Sequence, residues 1–96
     1  MTQTRVLEQT KLAQPKLFKL FLLNDDTTTM DFVIEILMDI FHYDLEKATH
    51  IMLAIHTNGE GVAGIFTQEI ALSKQNQVQV AAKEADFPLQ TRIEEQ

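Results

Sequence analysis

The stretch 17-LFKLFLLNDDTTTMDFVIEIL-37 decides the fold, because it joins a strand pattern to a helix pattern through a polar link. Residues 17–23 form an apolar run of strand character that stops at Asn24-Asp25-Asp26. Three threonines follow, and apolar residues then recur at helical spacing. We therefore predict a strand, a polar loop and a helix that runs to about His42, with Thr28 as its N-cap and Asp31 completing a capping box.

The rest of the chain predicts two more helices and two more strands. Asp44 is expected to cap the second helix, and Asn58-Gly59 to end it. A short strand follows, Thr67 caps a third helix that runs to about Asp86, and residues 89–93 alternate as a final strand. The residues predicted to face inward on the third helix are Ile70, Ala71, Val78, Ala81 and Ala82. The order β-α-α-β-α-β indicates an α+β fold, in which a small three-stranded antiparallel sheet packs against three helices.

The length of 96 residues indicates one domain. Residues 1–16 are mostly polar and are predicted to be a flexible N-terminal extension, which leaves residues 17–96 as the folded domain. That domain carries five basic and thirteen acidic residues, a net charge of −8. An acidic surface disfavours nucleic acid as a partner and favours a cationic partner, such as the positively charged end of a peptide.

Several classes of protein and site are not expected. The chain has no cysteine, so it has neither a disulfide framework nor a cysteine zinc site. Its apolar runs are too short to cross a membrane, and its N-terminus lacks the apolar segment of a secretory signal, so a cytoplasmic location is the default. His42, His50 and His56 lack the spacing that places two ligands on one helix face. We expect no metal and no cofactor.

The residues alone leave the role of the polar link open. Asp25 and Asp26 beside His56 could perform general acid–base chemistry in a small hydrolase, but no serine or cysteine lies in a nucleophile context. Asp and Asn before a helix also end strands and complement the helix dipole, and this structural role is favoured. A non-catalytic assembly domain resembling the C-terminal domain of the ribosomal stalk protein is a third alternative, since it shares a similar order of elements.

Three motifs in combination resemble the ClpS family, the adaptor proteins of the bacterial Clp protease. They are LLNDDTTTMDFVIEIL at 22–37, ATHIMLAIHTNGEGVAGIFTQEIA at 48–71 and KEADFPLQTRIEE at 83–95. The resemblance implies an adaptor without catalytic activity. It would bind the first residue of a protein when that residue is Leu, Phe, Tyr or Trp, and deliver the protein to the ATPase ClpA of the ClpAP protease.

The resemblance also implies roles for individual residues. Asn24 and His56 would hydrogen-bond the α-amino group of the substrate, with help from Asp25. The side-chain pocket would be lined by Thr28, Met30, Val33, Met52, Ile55 and Leu89. Glu69 and Lys74 would lie on the surface that docks the N-terminal domain of ClpA, and residues 1–16 would engage the ATPase during hand-over. The protein is expected to be a monomer.

Two positions depart from the family pattern. Thr29 stands where the family usually has proline, so we expect a slightly looser helix start. Ile55 stands where valine is common, and its extra methylene is expected to weaken binding of Trp and Tyr relative to Leu and Phe. Met30 is present and is expected to exclude the β-branched residues Ile and Val.

Overall fold

The computed structural model describes residues 15–96 and confirms the predicted α+β fold. The predicted N-terminal extension, residues 1–16, lies almost entirely outside the described residues. Along the chain the elements are β1 (Leu17–Leu23), α1 (Met30–Asp39), α2 (Leu45–Asn58), β2 (Glu60–Thr67), α3 (Gln68–Glu84) and β3 (Gln90–Glu95).

The sheet is antiparallel throughout, with β1 in the centre of the order β2-β1-β3. Leu20 and Leu22 of β1 are completely buried, as expected for the face that packs against the helices. On the other face, the Arg92 guanidinium lies 4.3 Å from the ring centre of Phe21 and makes two 2.8 Å hydrogen bonds to Glu60. This bidentate pair links β3 to β2 across the central strand.

The core lies between the inner face of the sheet and the helices. The largest fully buried side chains are Leu20, Leu22, Leu37 and Val78. Leu37 of α1 is at the centre of this packing, and the apolar stripe of α2 supplies Ala48, Ile51, Met52 and Ile55. The two helices that follow β1 are thereby held against the sheet, which fixes the loop between β1 and α1.

A β-bulge in β2 connects the sheet to the link between α1 and α2. The pairing of β1 with β2 shifts between Leu20 and Phe21, so that Ala63 is the extra residue. The Tyr43 hydroxyl donates a 2.6 Å hydrogen bond to the Ala63 carbonyl. This contact holds the start of α2 at a fixed position on the sheet.

Several predicted boundaries differ from the observed ones. Helix α1 ends at Asp39 rather than near His42, whose φ of 62° is left-handed and cannot continue a helix. Helix α3 ends at Glu84, two residues before the left-handed Asp86, and β3 begins at Gln90. The prediction that Ile70 faces inward is wrong. Ile70 is 46% exposed, because the neighbouring Ala71 occupies the buried face of α3.

Candidate functional site

A cleft of about 310 Å³ opens between the loop after β1, the first turn of α1 and the last turns of α2. Its rim is polar on one side and its floor is apolar. The residues that line it are Asn24, Asp25, Asp26, Thr28, Met30, Val33, Met52, Ile55 and His56. The strand–loop–helix junction singled out in the sequence therefore forms one wall, and α2 forms the other.

Asp25 organises the loop that carries the rim. Its Oδ1 accepts hydrogen bonds from the backbone N–H groups of Thr27 (2.8 Å) and Thr28 (2.6 Å), and its Oδ2 accepts one from the Thr28 hydroxyl (2.7 Å). Partial burial raises the pKa of Asp25, but the hydrogen bonds from Thr28 and Thr27 together outweigh it, so the pKa lies below the ordinary value for aspartate. The loop therefore holds an ionised carboxylate at neutral pH.

The predicted N-cap is wrong by one residue. Helix α1 is capped by Thr29, whose Oγ1 accepts a 3.1 Å hydrogen bond from the Phe32 N–H. Thr28 lies one residue before the cap, and its hydroxyl donates to Asp25. Asp31 is then the second residue of the helix rather than the third, so there is no capping box, although its charge still complements the helix dipole. Thr29 is thus the N-cap itself, and the expectation of a looser helix start stays a prediction.

The end of α2 brings His56 to the same rim. Gly59 caps the helix in a left-handed conformation, with φ of 87°, and its N–H donates to the Ile55 carbonyl at 2.9 Å. The backbone N–H of Asn24 in turn donates to the Gly59 carbonyl at 2.9 Å. This backbone bond ties the end of β1 to the end of α2, which is why Asn24 and His56, far apart in sequence, line one cleft.

The floor of the cleft is made of core residues. Val33, Met52 and Ile55 are 7%, 6% and 2% exposed. Ile55 packs directly on β2 at Gly61, where a Cβ atom would lie 2.7 Å from Ile55 Cγ1. Met30, the first residue of α1, is 42% exposed at the mouth. The floor is therefore fixed by packing, while the methionine at the mouth has freedom to move.

The resemblance implied that Leu89 lines the side-chain pocket, and Leu89 is not among the residues that line the cleft. It is 6% exposed, belongs to the core and faces a different hollow, beside Phe87 and the end of α3. Pro88 and Gln90 line that hollow too, and they also line another one beside the loop after β1.

The two residues expected on a docking surface are both on α3. Glu69 is exposed in the first turn of the helix. Lys74 is half-buried, and its Nζ donates a 2.6 Å hydrogen bond to the Ile40 carbonyl at the end of α1. Lys74 therefore also satisfies a carbonyl at a helix end, a structural role that sequence reasoning did not suggest.

The cleft offers hydrogen-bond acceptors above an apolar floor. Thr28 is the one hydroxyl residue among those that line the cleft, and its hydroxyl donates a hydrogen bond to Asp25. Within residues 15–96 no cluster of His, Asp and Glu is arranged to hold a metal ion. Over the same range, no helix has the length and apolar character needed to cross a membrane. The arrangement fits an organic cation that carries a bulky apolar group.

Replacing Asp25 with asparagine should lower the free energy of unfolding by about 1 kcal/mol at pH 7, because charge-assisted hydrogen bonds in the loop become ordinary ones. Since folding lowers the pKa of Asp25, its contribution is complete above the ordinary aspartate pKa of about 4 and is lost as the pH falls through the lowered value. Urea titrations of both proteins at pH 7, 5 and 3 check this. A difference in the free energy of unfolding between the two proteins that stays constant down to pH 3 would contradict this prediction.

The comparisons with known proteins agree with this geometry. The family model described as ATP-dependent Clp protease adaptor protein ClpS matches residues 13–92. A protein of Campylobacter jejuni (strain RM1221), named ATP-dependent Clp protease adapter protein ClpS, is 66% identical over 96 residues, which is all of both chains. A protein of the same name from Lawsonia intracellularis is 47% identical over 94% of this chain and 83% of its own.

A solved structure extends the comparison to the fold. The structure of Agrobacterium tumefaciens ClpS2 bound to L-phenylalaninamide matches with a TM-score of 0.83 and 34% identity, over 86% of this chain and all of that one. These matches favour the adaptor family over the alternative of a ribosomal-stalk-like assembly domain. The chain belongs to the ClpS family, the adaptor proteins of the ATP-dependent Clp protease.

Proposed function

We propose that the cleft binds the first residue of a protein chain when that residue is Leu, Phe, Tyr or Trp. The free α-amino group would lie at the rim formed by Asn24, Asp25 and His56, and the side chain would enter the apolar part between Met30 and Ile55. The observation that carries the proposal is that one cleft of about 310 Å³ has acceptors on its rim and buried apolar residues on its floor. Capture of an N-terminal amine beside an apolar pocket is a known mode of peptide recognition.

The rim matches the chemistry of an α-ammonium group, which has one positive charge and three donors. An asparagine oxygen, a carboxylate and a histidine nitrogen are all acceptors. Asp25 Oδ2 accepts only one hydrogen bond from the protein, so it retains capacity for another, directly or through water. The last turn of α2, where His56 lies, also carries the negative end of the helix dipole, which favours a cation.

The ligand of the Agrobacterium relative supports the proposal. L-phenylalaninamide has a free α-amino group, an aromatic side chain and an amide in place of the first peptide bond. It therefore resembles the start of a chain that begins with phenylalanine, and the free α-amino group is the feature that an internal phenylalanine lacks. Burial of such a side chain contributes about 1.5–3 kcal/mol.

We further propose that residues 17–96 form the adaptor body of a cytoplasmic monomer that catalyses nothing, binds neither nucleic acid nor membrane, and delivers substrates to the N-terminal domain of ClpA. Glu69 and Lys74 would form part of the docking surface, and residues 1–16 would engage the ATPase during hand-over. The test is degradation of a protein that begins with phenylalanine by ClpAP. We expect it to require the adaptor, and Glu69→Ala to impair degradation without changing peptide binding. Equal degradation without the adaptor would contradict delivery.

Met30→Ala should admit N-terminal Ile and Val, because it removes the side chain at the mouth that a branched Cβ would meet. We expect affinity for these peptides to rise by about tenfold, the scale of a few methylene contacts in an apolar pocket. Met38→Ala is the matched control, since Met38 is similarly exposed on α1 but does not line the cleft. Equal selectivity of the two variants in peptide titrations would count against the role of Met30 in excluding Ile and Val.

Ile55→Val should raise the affinity for peptides that begin with Trp or Tyr relative to Leu, by up to about tenfold, because it removes a methyl group from the floor. Ile51→Val is the control: Ile51 is buried on the same helix but does not line the cleft. Competition titrations with peptides that begin with Leu, Phe, Tyr and Trp measure the ratio of their affinities. If both variants leave the ratio unchanged, the substitution at position 55 does not set selectivity.

A further inference from the structure

A pair of aromatic rings contacts the first turn of α1 outside the cleft. The ring centres of Phe32 and Phe87 are 4.9 Å apart, and the ring planes are inclined by 52°. Both residues are half-buried, and neither of them lines the cleft. Phe32 is the neighbour of Val33, which belongs to the floor of the cleft. The pair therefore packs on the same turn of helix that forms one wall of the cleft.

The backbone at the end of α3 holds Phe87 in place. Asp86 follows the helix in a left-handed conformation, with φ of 63°, and its N–H donates to the Lys83 carbonyl at 3.1 Å. The N–H of Phe87 donates to the Ala82 carbonyl at 2.9 Å. Two such bonds around a left-handed residue close the end of a helix. Phe87 is thereby attached to α3, and its ring offers Phe32 a fixed surface.

The first turn of α1 is where such support has the largest effect on the cleft. Two hydrogen bonds to Thr29 fasten it: the Phe32 N–H donates to Oγ1 at 3.1 Å, and the Val33 N–H donates to the carbonyl at 3.2 Å. Helix ends open more readily than helix centres. Met30 begins this turn and lies at the mouth of the cleft. A side chain can exclude a ligand only while its backbone stays in place, so the width of the mouth depends on this turn.

We propose that Phe87 is a positioning residue for the binding of N-terminal residues. Its ring packs against Phe32, keeps the first turn of α1 in place and so sets the width of the mouth at Met30. This inference rests on the proposed function of the cleft. Loss of the ring would loosen the mouth, which would weaken the fit to a first residue Phe and also weaken the exclusion of a first residue Ile.

The test measures binding of two labelled peptides, one that begins with Phe and one that begins with Ile, at a temperature at which circular dichroism shows every variant folded. Phe87→Ala should bind the Phe peptide about two- to tenfold more weakly, the range expected for the loss of an aromatic pair. The ratio of the Phe affinity to the Ile affinity should fall by at least the same factor. Phe87→Tyr keeps the ring and should restore both affinities to within about twofold of the unmodified protein.

Phe66→Ala is the matched control for a merely structural effect. Phe66 is also half-buried and also pairs with a second ring, that of Phe41, with 6.1 Å between the ring centres. Neither of these residues lines the cleft. The control should lower the free energy of unfolding and leave the ratio of the two affinities as it is. Equal changes of the ratio in Phe87→Ala and Phe66→Ala, or no change in either, would overturn the proposal.

Amide hydrogen exchange tests the positioning role without a peptide. Phe87→Ala should raise the exchange rates of the Phe32 and Val33 amides by about two- to tenfold relative to that of Leu37, which lies later in the same helix. Phe66→Ala should not change these relative rates. Unchanged relative rates in Phe87→Ala, while the unmodified protein binds the Phe peptide, overturn the role of Phe87 alone. Failure of the unmodified protein to bind that peptide overturns the proposed function, and this inference with it.

Discussion

His56→Ala should weaken binding of a peptide that begins with phenylalanine by about 10- to 150-fold. A hydrogen bond to a charged group contributes about 1.5–3 kcal/mol, and the variant removes one of the acceptors proposed to hold the ammonium group at the rim. His56 is exposed, so alanine there should leave the fold intact. Fluorescence anisotropy with a labelled peptide measures the affinity, and thermal unfolding verifies that the variant is folded.

His50→Ala is the matched control for this change. His50 is also an exposed histidine on α2, but it faces a separate hollow beside Lys47 and Leu53. It should bind the peptide within about twofold of the unmodified protein, as surface substitutions away from a site usually do. Equal losses in the two variants, or no loss in either, would mean that His56 does not receive the amine.

Leu37→Ala should lower the free energy of unfolding by about 3–5 kcal/mol. Leu37 is fully buried in α1, and truncation of such a side chain loses its transfer free energy and leaves a cavity. The total stability of a domain is only about 5–15 kcal/mol, so the variant should be close to unfolding at growth temperature. Urea denaturation followed by circular dichroism measures the loss.

Leu72→Ala makes the same chemical change on α3, where the side chain is 52% exposed. It should lower the free energy of unfolding by less than about 1 kcal/mol, because the removed atoms are largely in water already and alanine favours helix. The difference between the two variants isolates the effect of burial. Similar losses for Leu37→Ala and Leu72→Ala would contradict the placement of the core.

Hydrophobic periodicity predicted the order of elements because each pattern is local. The strand 17–23, the stripe of α2 and the left-handed stop at Gly59 can each be deduced from a few neighbouring residues. The N-cap of α1 could not be settled in this way. Thr28 and Thr29 are equally suitable caps in sequence, and only the structure shows that Thr29 accepts from the Phe32 N–H while Thr28 donates to Asp25.

The inward face of α3 was harder to predict because small residues form it. Ala71, Val78 and Ala82 are buried, which lets the helix approach the sheet closely, while Ile70 is exposed. Sequence reasoning gives more weight to the larger side chain. The hydrogen bond from Lys74 to the Ile40 carbonyl could not be predicted from the sequence either, since it joins residues that only the tertiary fold brings together.

The residues expected around the cleft were named from family resemblance rather than from spacing. Nothing in the sequence shows that Asn24 approaches His56; the backbone bond between Asn24 and Gly59 brings about that approach. Leu89 is buried in the core and is not among the residues that line the cleft, so its place in the side-chain pocket stays a prediction.

The most direct test of the account compares three labelled peptides by fluorescence anisotropy: one that begins with a free phenylalanine, its N-acetylated twin, and one that begins with isoleucine. Acetylation removes the charge and two of the three donors, and isoleucine places a branched Cβ at the mouth beside Met30. The account predicts tight binding of the free phenylalanine peptide alone. Equal binding of the acetylated peptide, or binding of none of the three, would contradict the claim that this cleft recognises the first residue of a protein.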